Sequence, residues 1–181
     1  LKKIEQIMQI WDNLAAESPK PPAACPKQEL QMLVVTEGIT KGHLLEVYSD
    51  PYITKVGHDH RPAAHIDHPL VTYLSAWTGN TFAGAFMAVR FTPIEIELHA
   101  LLKRSAIKHS RALGNACLQW AFAQPIQRVT AYIIEGLEAA KNYCLKLGFK
   151  EEGRRRAACM QGGIVKDVYV LGMTRLDWSS K

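Results

Sequence analysis

YCLKLGFKEEGRRR (Tyr143–Arg156), then a Gly162-Gly163 turn, then KDVYVLGMTRLDW (Lys166–Trp178) is the stretch that decides the fold. It reads as a helix that stops at Gly148, a strand from Phe149 onward, a tight turn and a return strand. Gly148 can take the left-handed conformation that follows a helix C-terminus, where a side chain is penalised, and Phe149 can pack back on the helix end.

Working upstream, QRVTAYIIEG reads as a strand leading into the helix LEAAKNYCLKLGF. A helix over about His109–Ala123 precedes it, with Ala112, Leu113, Ala116, Cys117 and Trp120 as its apolar stripe. Before that, IEIELHALL (Ile94–Leu102) alternates, placing Ile94, Ile96 and Leu98 on one face and Glu95, Glu97 and His99 on the other. LVTYLSAW and TFAGAFMAVRF flank Thr78-Gly79-Asn80 as a hairpin. Regular sheet signals begin at Leu70. Ser49–Pro69, rich in His, Asp, Pro and Gly, reads as a long irregular loop, with a helical turn or two around His43–Tyr48 before it. Ser18–Pro26 is a Pro-rich loop. The N-terminal LKKIEQIMQIWDNLAAES is an amphipathic helix with Ile4, Ile7, Met8, Trp11, Leu14 and Ala15 on one stripe, not a signal peptide.

The expected order is helix, loops, three antiparallel strands, helix, strand, helix and two strands. A strand-helix-strand unit requires a parallel pair, so the fold class is α/β, an α+β mixed sheet, mostly antiparallel and flanked by helices. The 181 residues, 48% hydrophobic, suit one domain with a sizeable core: residues 1–69 supply helices and loops, 70–178 the sheet. No apolar run approaches the roughly 18 residues of a membrane span. Cys25, Cys117, Cys144 and Cys159 form no CxxC pair and read as reduced thiols of a cytoplasmic protein. The net charge of +5 is modest, and Arg154-Arg155-Arg156, without interleaved aromatics, reads as a solvated strand edge rather than a nucleic-acid site.

The "KLGF" helix end leading into "EEGRRR" resembles the C-terminal part of the GNAT N-acetyltransferase superfamily. Two further stretches carry the resemblance. HSRALGNACLQWAF (His109–Phe122) lies over the superfamily's Arg/Gln-x-x-Gly-x-Gly/Ala loop and helix start, with His109, Ala112 and Gly114 in the signature places. The pattern Asn-x-x-Ala-x-x-x-Tyr-x-x-x-Gly-Phe is matched by Ala140, Gly148 and Phe149, while Leu137 stands at the Asn and Cys144 at the Tyr, with Tyr143 one residue earlier. "ELHALL" also looks like short acetyltransferase-like proteins carried by phages.

The resemblance implies a GNAT-like acyltransferase fold with acetyl-CoA as cosubstrate and an amine acceptor, a small molecule or a protein, including a host protein. A soluble monomer or homodimer in the cytoplasm, or in the host cytoplasm if phage-encoded, is expected. Backbone N–H groups at the helix start would hold the coenzyme pyrophosphate, as an anion is held at a helix N-terminus. That assigns Leu101, Leu102, His109, Ser110, Arg111, Ala112, Leu113, Gly114, Asn115 and Tyr143 to the coenzyme, with Lys103, Arg104 and Lys108 nearby as supporting charge. N–H groups at the end of the Ile94–Leu102 strand would polarise the thioester carbonyl. An attacking amine must lose a proton, and Glu97 and His99 are the candidate bases. Both also suit an exposed sheet face or a satisfied ion pair. Cys144 is the candidate proton donor to the leaving thiolate, set against an inert core thiol.

His58, His60, His65 and His68 lie in GHDHRPAAHIDHP with Asp59 and Asp67. They suit an acceptor-side loop better than a metal site, since their spacing matches no ligand motif. No metal is expected. The alternative to an enzyme is a non-catalytic GNAT-fold protein for phage assembly or host interaction, in keeping with the missing Asn and Tyr.

Overall fold

The computed structural model describes residues 32–57, 59 and 66–181. The expected N-terminal helix, the Pro-rich loop, Cys25, His58, His60 and His65 lie outside the described residues. The elements are β1 (Leu33–Glu37), α1 (Lys41–Ser49), α2 (Pro51–Thr54), β2 (Val71–Thr78), β3 (Thr81–Thr92), β4 (Glu95–Leu102) and a 3-10 helix (Arg104–His109). They continue with α3 (Ser110–Ala123), β5 (Arg128–Ile134), α4 (Glu138–Lys146), β6 (Lys150–Gln161), β7 (Ile164–Thr174) and α5 (Arg175–Ser179).

Among the described residues, seven strands form one sheet in the order β1-β2-β3-β4-β5-β7-β6. Every neighbouring pair is antiparallel except β4–β5. This is the mostly antiparallel mixed sheet that the strand-helix-strand unit requires. Strand alternation gives the sheet two faces. One carries Leu74, Phe86, Ile96, Val129, Leu171 and Met173, and α3 and α4 pack on it through Leu113, Cys117, Leu118, Cys144 and Leu147. The other carries Tyr73, Ala85 and Met87 and is covered by α1 and α2 through Leu44, Val47 and Ile53. Glu95, Glu97 and His99 belong to this second face.

The helix stop at Gly148 has the geometry its sequence implies. Gly148 has φ +91°, its N–H donates to Leu145 O at 2.9 Å, and Phe149 N–H reaches back to Cys144 O at 3.1 Å. Two carbonyls that the helix end would orphan are thereby satisfied, and Phe149 meets Cys144 in the core.

Three expectations are corrected. The sheet begins at β1, not at Leu70: Leu33–Glu37 pairs with Glu37↔Leu74 through Leu33↔Thr78. The loop expected over Ser49–Pro69 opens with α2, because the Asp50 carboxylate accepts the Tyr52 N–H at 2.8 Å and Pro51 begins the helix. The last strand stops at Thr174 rather than running to Trp178. There Thr174 Oγ1 accepts from Asp177 N–H and the Asp177 carboxylate accepts from Thr174 N–H, a capping box that starts α5.

β6 is also interrupted. Arg155 pairs with Val168 and Cys159 with Lys166, so Arg156, Ala157 and Ala158 bulge opposite Asp167 alone. Ala157 has φ +47°. The Asp167 carboxylate holds the bulge, accepting from Ala157 N–H at 2.8 Å and Arg154 Nε at 2.7 Å. Both donors hold its carboxyl below the usual carboxylate range, the Ala157 N–H most.

Candidate active site

The parallel seam is short. β4 and β5 pair only over Glu95↔Arg128, Ile96↔Val129 and Glu97↔Thr130. Beyond these, Leu98–Leu102 stays paired to β3 and Ala131–Ile134 to β7, but not to one another. Each half-sheet carries its own right-handed twist, and strand pairing joins the two over three residue pairs alone. The strands part into a cleft of about 1370 Å3. Its walls include Leu98, Ala100 and Leu101 of β4, Ala131–Ile134 of β5, and Leu137, Ala140, Tyr143, Cys144 and Leu147 on and beside α4.

Glu97 and His99 stand where the seam opens. Glu97 is 8% exposed, and its Oε1 lies 2.8 Å from His99 Nε2. The oxygen is off the line of the ring N–H, so the contact is electrostatic rather than a directed hydrogen bond, and among the described residues buried Nε2 has no aligned partner. The imidazole side chain is 29% exposed against 11% for the carboxylate. Both residues line the cleft, with the imidazole the more exposed of the two.

Glu95, two residues earlier on the same face, is placed differently. Thr130 Oγ1, on a residue only 2% exposed, donates to its Oε1 at 2.7 Å. Arg128 Nε reaches Thr130 Oγ1 at 3.0 Å and Glu95 at 3.3 Å, while its terminal nitrogens grip Glu152. That bidentate pairing raises the Arg128 pKa and holds the Glu152 carboxyl below its usual range.

At the other end of the cleft α3 follows directly from the 3-10 helix. Ser110 N–H donates to Ile107 O, and among the described residues no side chain caps α3, whose N-cap is His109. Of the residues assigned to a coenzyme, Leu113 is fully buried in the core, so only its backbone is available there. Arg111, Ala112 and Asn115 are exposed, and His109 and Ser110 half-buried. Leu101 lines the cleft, whereas the Leu102 side chain is buried on the α3 face. Lys103 pairs with Glu46 of α1, while Arg104, Lys108 and Arg111 have no ion-pair partner among the described residues.

Gly114 has a packing reason. A Cβ there would lie 2.4 Å from the Tyr143 hydroxyl and 2.8 Å from Leu147 Cδ1, so a bare backbone lets α4 close on α3. Tyr143 donates to Ser110 O at 3.0 Å, tying the first turn of α3 to the cleft wall. Burial pushes the Tyr143 hydroxyl well above its ordinary pKa. Cys144, 7% exposed, is likewise pushed up to about 11 by burial.

A second set of wall residues escaped the sequence reading. Tyr48, Ile53, Thr54, Lys55 and Gly57 approach from α1, α2 and the segment after it, and Tyr132, Ile134, Arg155 and Val168 from β5, β6 and β7. The alternation Arg128, Thr130, Tyr132, Ile134 in QRVTAYIIEG carried the signal for the β5 pair. The segment after α2 is fastened to the β6–β7 hairpin. Gly162 and Gly163 N–H groups donate to the two Asp59 oxygens at 2.9 and 2.8 Å. Asp59 N–H donates to Met160 O at 2.8 Å, and Gln161 Nε2 to Gly57 O at 3.0 Å.

Of the His loop, His68 is described: its Nδ1 accepts the Leu70 N–H at 3.2 Å, a local turn contact. Among the described residues no group of three or more His, Cys, Asp or Glu side chains is arranged to hold a metal ion. No described helix is long and apolar enough to cross a membrane.

No protein-family model matches the chain, and no curated protein matches it by sequence. Solved structures do match. The spermidine N-acetyltransferase of Vibrio cholerae in complex with CoA and spermine superposes with a TM-score of 0.68 at 11% identity, over 81% of this chain and 98% of that one. A point mutant of that enzyme gives 0.70 at 14%, over 82% and 98%. A chimera built on it gives 0.69 at 14%, over 82% and 99%. The correspondence spans nearly the whole of each neighbour, and at these identities it is one of architecture: the chain has the GNAT-like acyltransferase fold.

Proposed function

We propose that the chain is an acetyl-CoA-dependent N-acetyltransferase acting on an amine. The observation that carries this reading is the parting of β4 and β5 above Glu97 and His99. It combines an open strand edge for a thioester, a cleft for its carrier, and an ionisable pair at the floor. A neutral amine entering from the α1–α2 face attacks the thioester carbonyl carbon, and the C–S bond breaks. The amine proton passes to His99, and the resulting imidazolium is stabilised by the carboxylate of Glu97 beside it. Backbone N–H groups on the free edge of β4 stabilise the oxyanion. Arg104, Lys108 and Arg111 supply positive charge for the coenzyme phosphates at the start of α3.

Cys144 fits the acid role poorly. Giving a proton from a thiol raised to about 11 to a thiolate of ordinary pKa, about 8.5, runs uphill. We assign that proton to solvent and Cys144 to packing. The structural neighbours include a spermidine N-acetyltransferase, which keeps small amines foremost among acceptors.

The second reading, a non-catalytic GNAT-fold protein for phage assembly or host interaction, rests on Leu137 and Cys144 at the places of the superfamily's Asn and Tyr. Titration calorimetry with acetyl-CoA and CoA, with thiol release in the presence of an amine panel, separates the two. Binding with amine-dependent thiol release supports the enzyme. Binding without release from any amine favours the second reading, and no binding removes the first.

A further inference from the structure

The charges on the cleft wall are unevenly committed. Among the described residues, the carboxylate, imidazole and cationic side chains lining it are those of Lys55, Asp59, Glu97, His99 and Arg155. Both carboxylates are engaged. Asp59 accepts from Gly162 and Gly163, and Glu97 faces His99. Neither cation has an ion-pair partner among the described residues. Glu135 and Asp167 both go to Arg154, the residue before Arg155. Arg155 instead lies with its guanidinium 5.5 Å from the Tyr132 ring centroid, and Lys55 with its ammonium 5.3 Å from the Tyr52 ring.

Register fixes which side of the sheet these cations serve. Arg155 pairs with Val168, and Val168 with Ile134. Tyr132 lies two residues from Ile134, and Thr130 pairs with Glu97. Paired residues share a face, so Arg155 stands on the Glu97–His99 face, opposite the face on which α3 packs. Lys55 follows α2, which covers that same face. The Asp59 contacts fasten the Lys55 segment to the hairpin that begins at the end of β6, so the two cations stand on joined walls of one mouth. The free cations at the start of α3, Arg104, Lys108 and Arg111, belong to the other face.

From this we infer that the acceptor is a primary amine that also carries an anionic group, a carboxylate or a phosphate, bound by Arg155 and Lys55 while its amine faces His99. The inference rests on the acetyltransferase reading. It diverges from the substrate of the structural neighbours, because a polycation such as spermidine meets two unpaired cations and no uncommitted carboxylate on the described walls. A planar guanidinium held against an aromatic ring presents a fork to an oxyanion and repels an ammonium.

The test is a set of matched acceptors assayed by thiol release: tyrosine against tyramine and glycine against glycinamide for the carboxylate, glucosamine 6-phosphate against glucosamine for the phosphate, with spermidine and putrescine as polycations. Expected is a kcat/KM at least about tenfold higher for the anionic member of one pair, the difference of one charge-assisted contact. Whichever pair responds identifies the anion. Arg155→Glu should abolish that preference and raise the acceptor KM, with the KM for acetyl-CoA unchanged. Arg155 is exposed, so the substitution spares the core. Equal or better turnover of the polycations, no turnover of any anionic amine, or an Arg155→Glu effect on the acetyl-CoA KM alone would each overturn the inference while leaving the enzyme reading intact. Failure to bind acetyl-CoA overturns both.

Discussion

The seam between β4 and β5 has a closed half and an open half, and Glu95 and Glu97 mark them on one face of one strand. Glu95 lies where the strands still pair, locked by Thr130 and Arg128. Glu97 lies at the last pair, touching His99 without the alignment of a hydrogen bond. Two carboxylates, two residues apart, are thus placed for different work. A polar group with all its partners satisfied specifies the sheet. One left with an unsatisfied neighbour at the edge of a cleft is placed to exchange a proton.

That contrast is easiest to break with exchanged substitutions. His99→Ala and Glu97→Gln should lower kcat by about a hundredfold or more, the usual contribution of a proton-transfer group, with acetyl-CoA affinity unchanged by calorimetry. Wild-type turnover in both variants would move the base elsewhere. Glu95→Gln should do the reverse, costing about 1–3 kcal/mol in denaturant unfolding and leaving kcat/KM untouched. A catalytic defect in Glu95→Gln, without loss of stability, would erase the distinction between the halves.

Packing across the open half gives the next effect in size. Gly114→Ala should cost about 1–3 kcal/mol, the range for overpacking a filled site, because its methyl group meets the Tyr143 hydroxyl. A fully stable variant would mean that α4 has room to withdraw. Acid should act on the closed half. The Glu152 carboxyl is depressed by Arg128, so the stability of that pair is fully present above the ordinary carboxylate value, about 4.3. It is lost as pH falls through the lower folded value. The stability difference between wild type and Arg128→Met should accordingly shrink in acid denaturation curves below about pH 4. An unchanged difference there would place the pair's contribution elsewhere. The smallest effect is expected of Cys144→Ala, a less than threefold change in kcat consistent with a thiol raised by burial. A larger loss would restore Cys144 as proton donor.

Much of the sheet was legible in the sequence because its signals are local. Gly148-Phe149 fixes a helix end within six residues, Gly79 and Gly162-Gly163 fix hairpins, and the alternation of Ile94–Leu102 assigns its faces. β1 escaped because its five residues are at best half-buried and show no alternation. The α5 start was readable in Thr174-Arg-Leu-Asp177, a capping box masked by the strand before it. The cleft was not readable, since it consists of pairing that stops between strands distant in sequence. Nor was the Asp59 contact, which joins a loop to a turn 103 residues later. Glu97 and His99 were picked out by residue type and face, whereas Arg155 was hidden in a run of three arginines. Only the register of β6 on β7 separates it from Arg154, which is committed to Glu135 and Asp167.

The bulge at Arg156–Ala158 has a consequence for the rim of the molecule. β6 is the last strand of the sheet and exposes most of its length. A straight strand there would offer an unbroken ladder of donors and acceptors to a neighbouring chain. Asp167 takes up the Ala157 N–H and turns the backbone into a left-handed step, and with a second register break at Glu151–Gly153 the ladder is cut into short pieces. Arg154–Arg156 charge the middle of this edge and Asp59 N–H donates to Met160 O beyond it, so no described stretch of it is long or neutral enough to template a foreign strand.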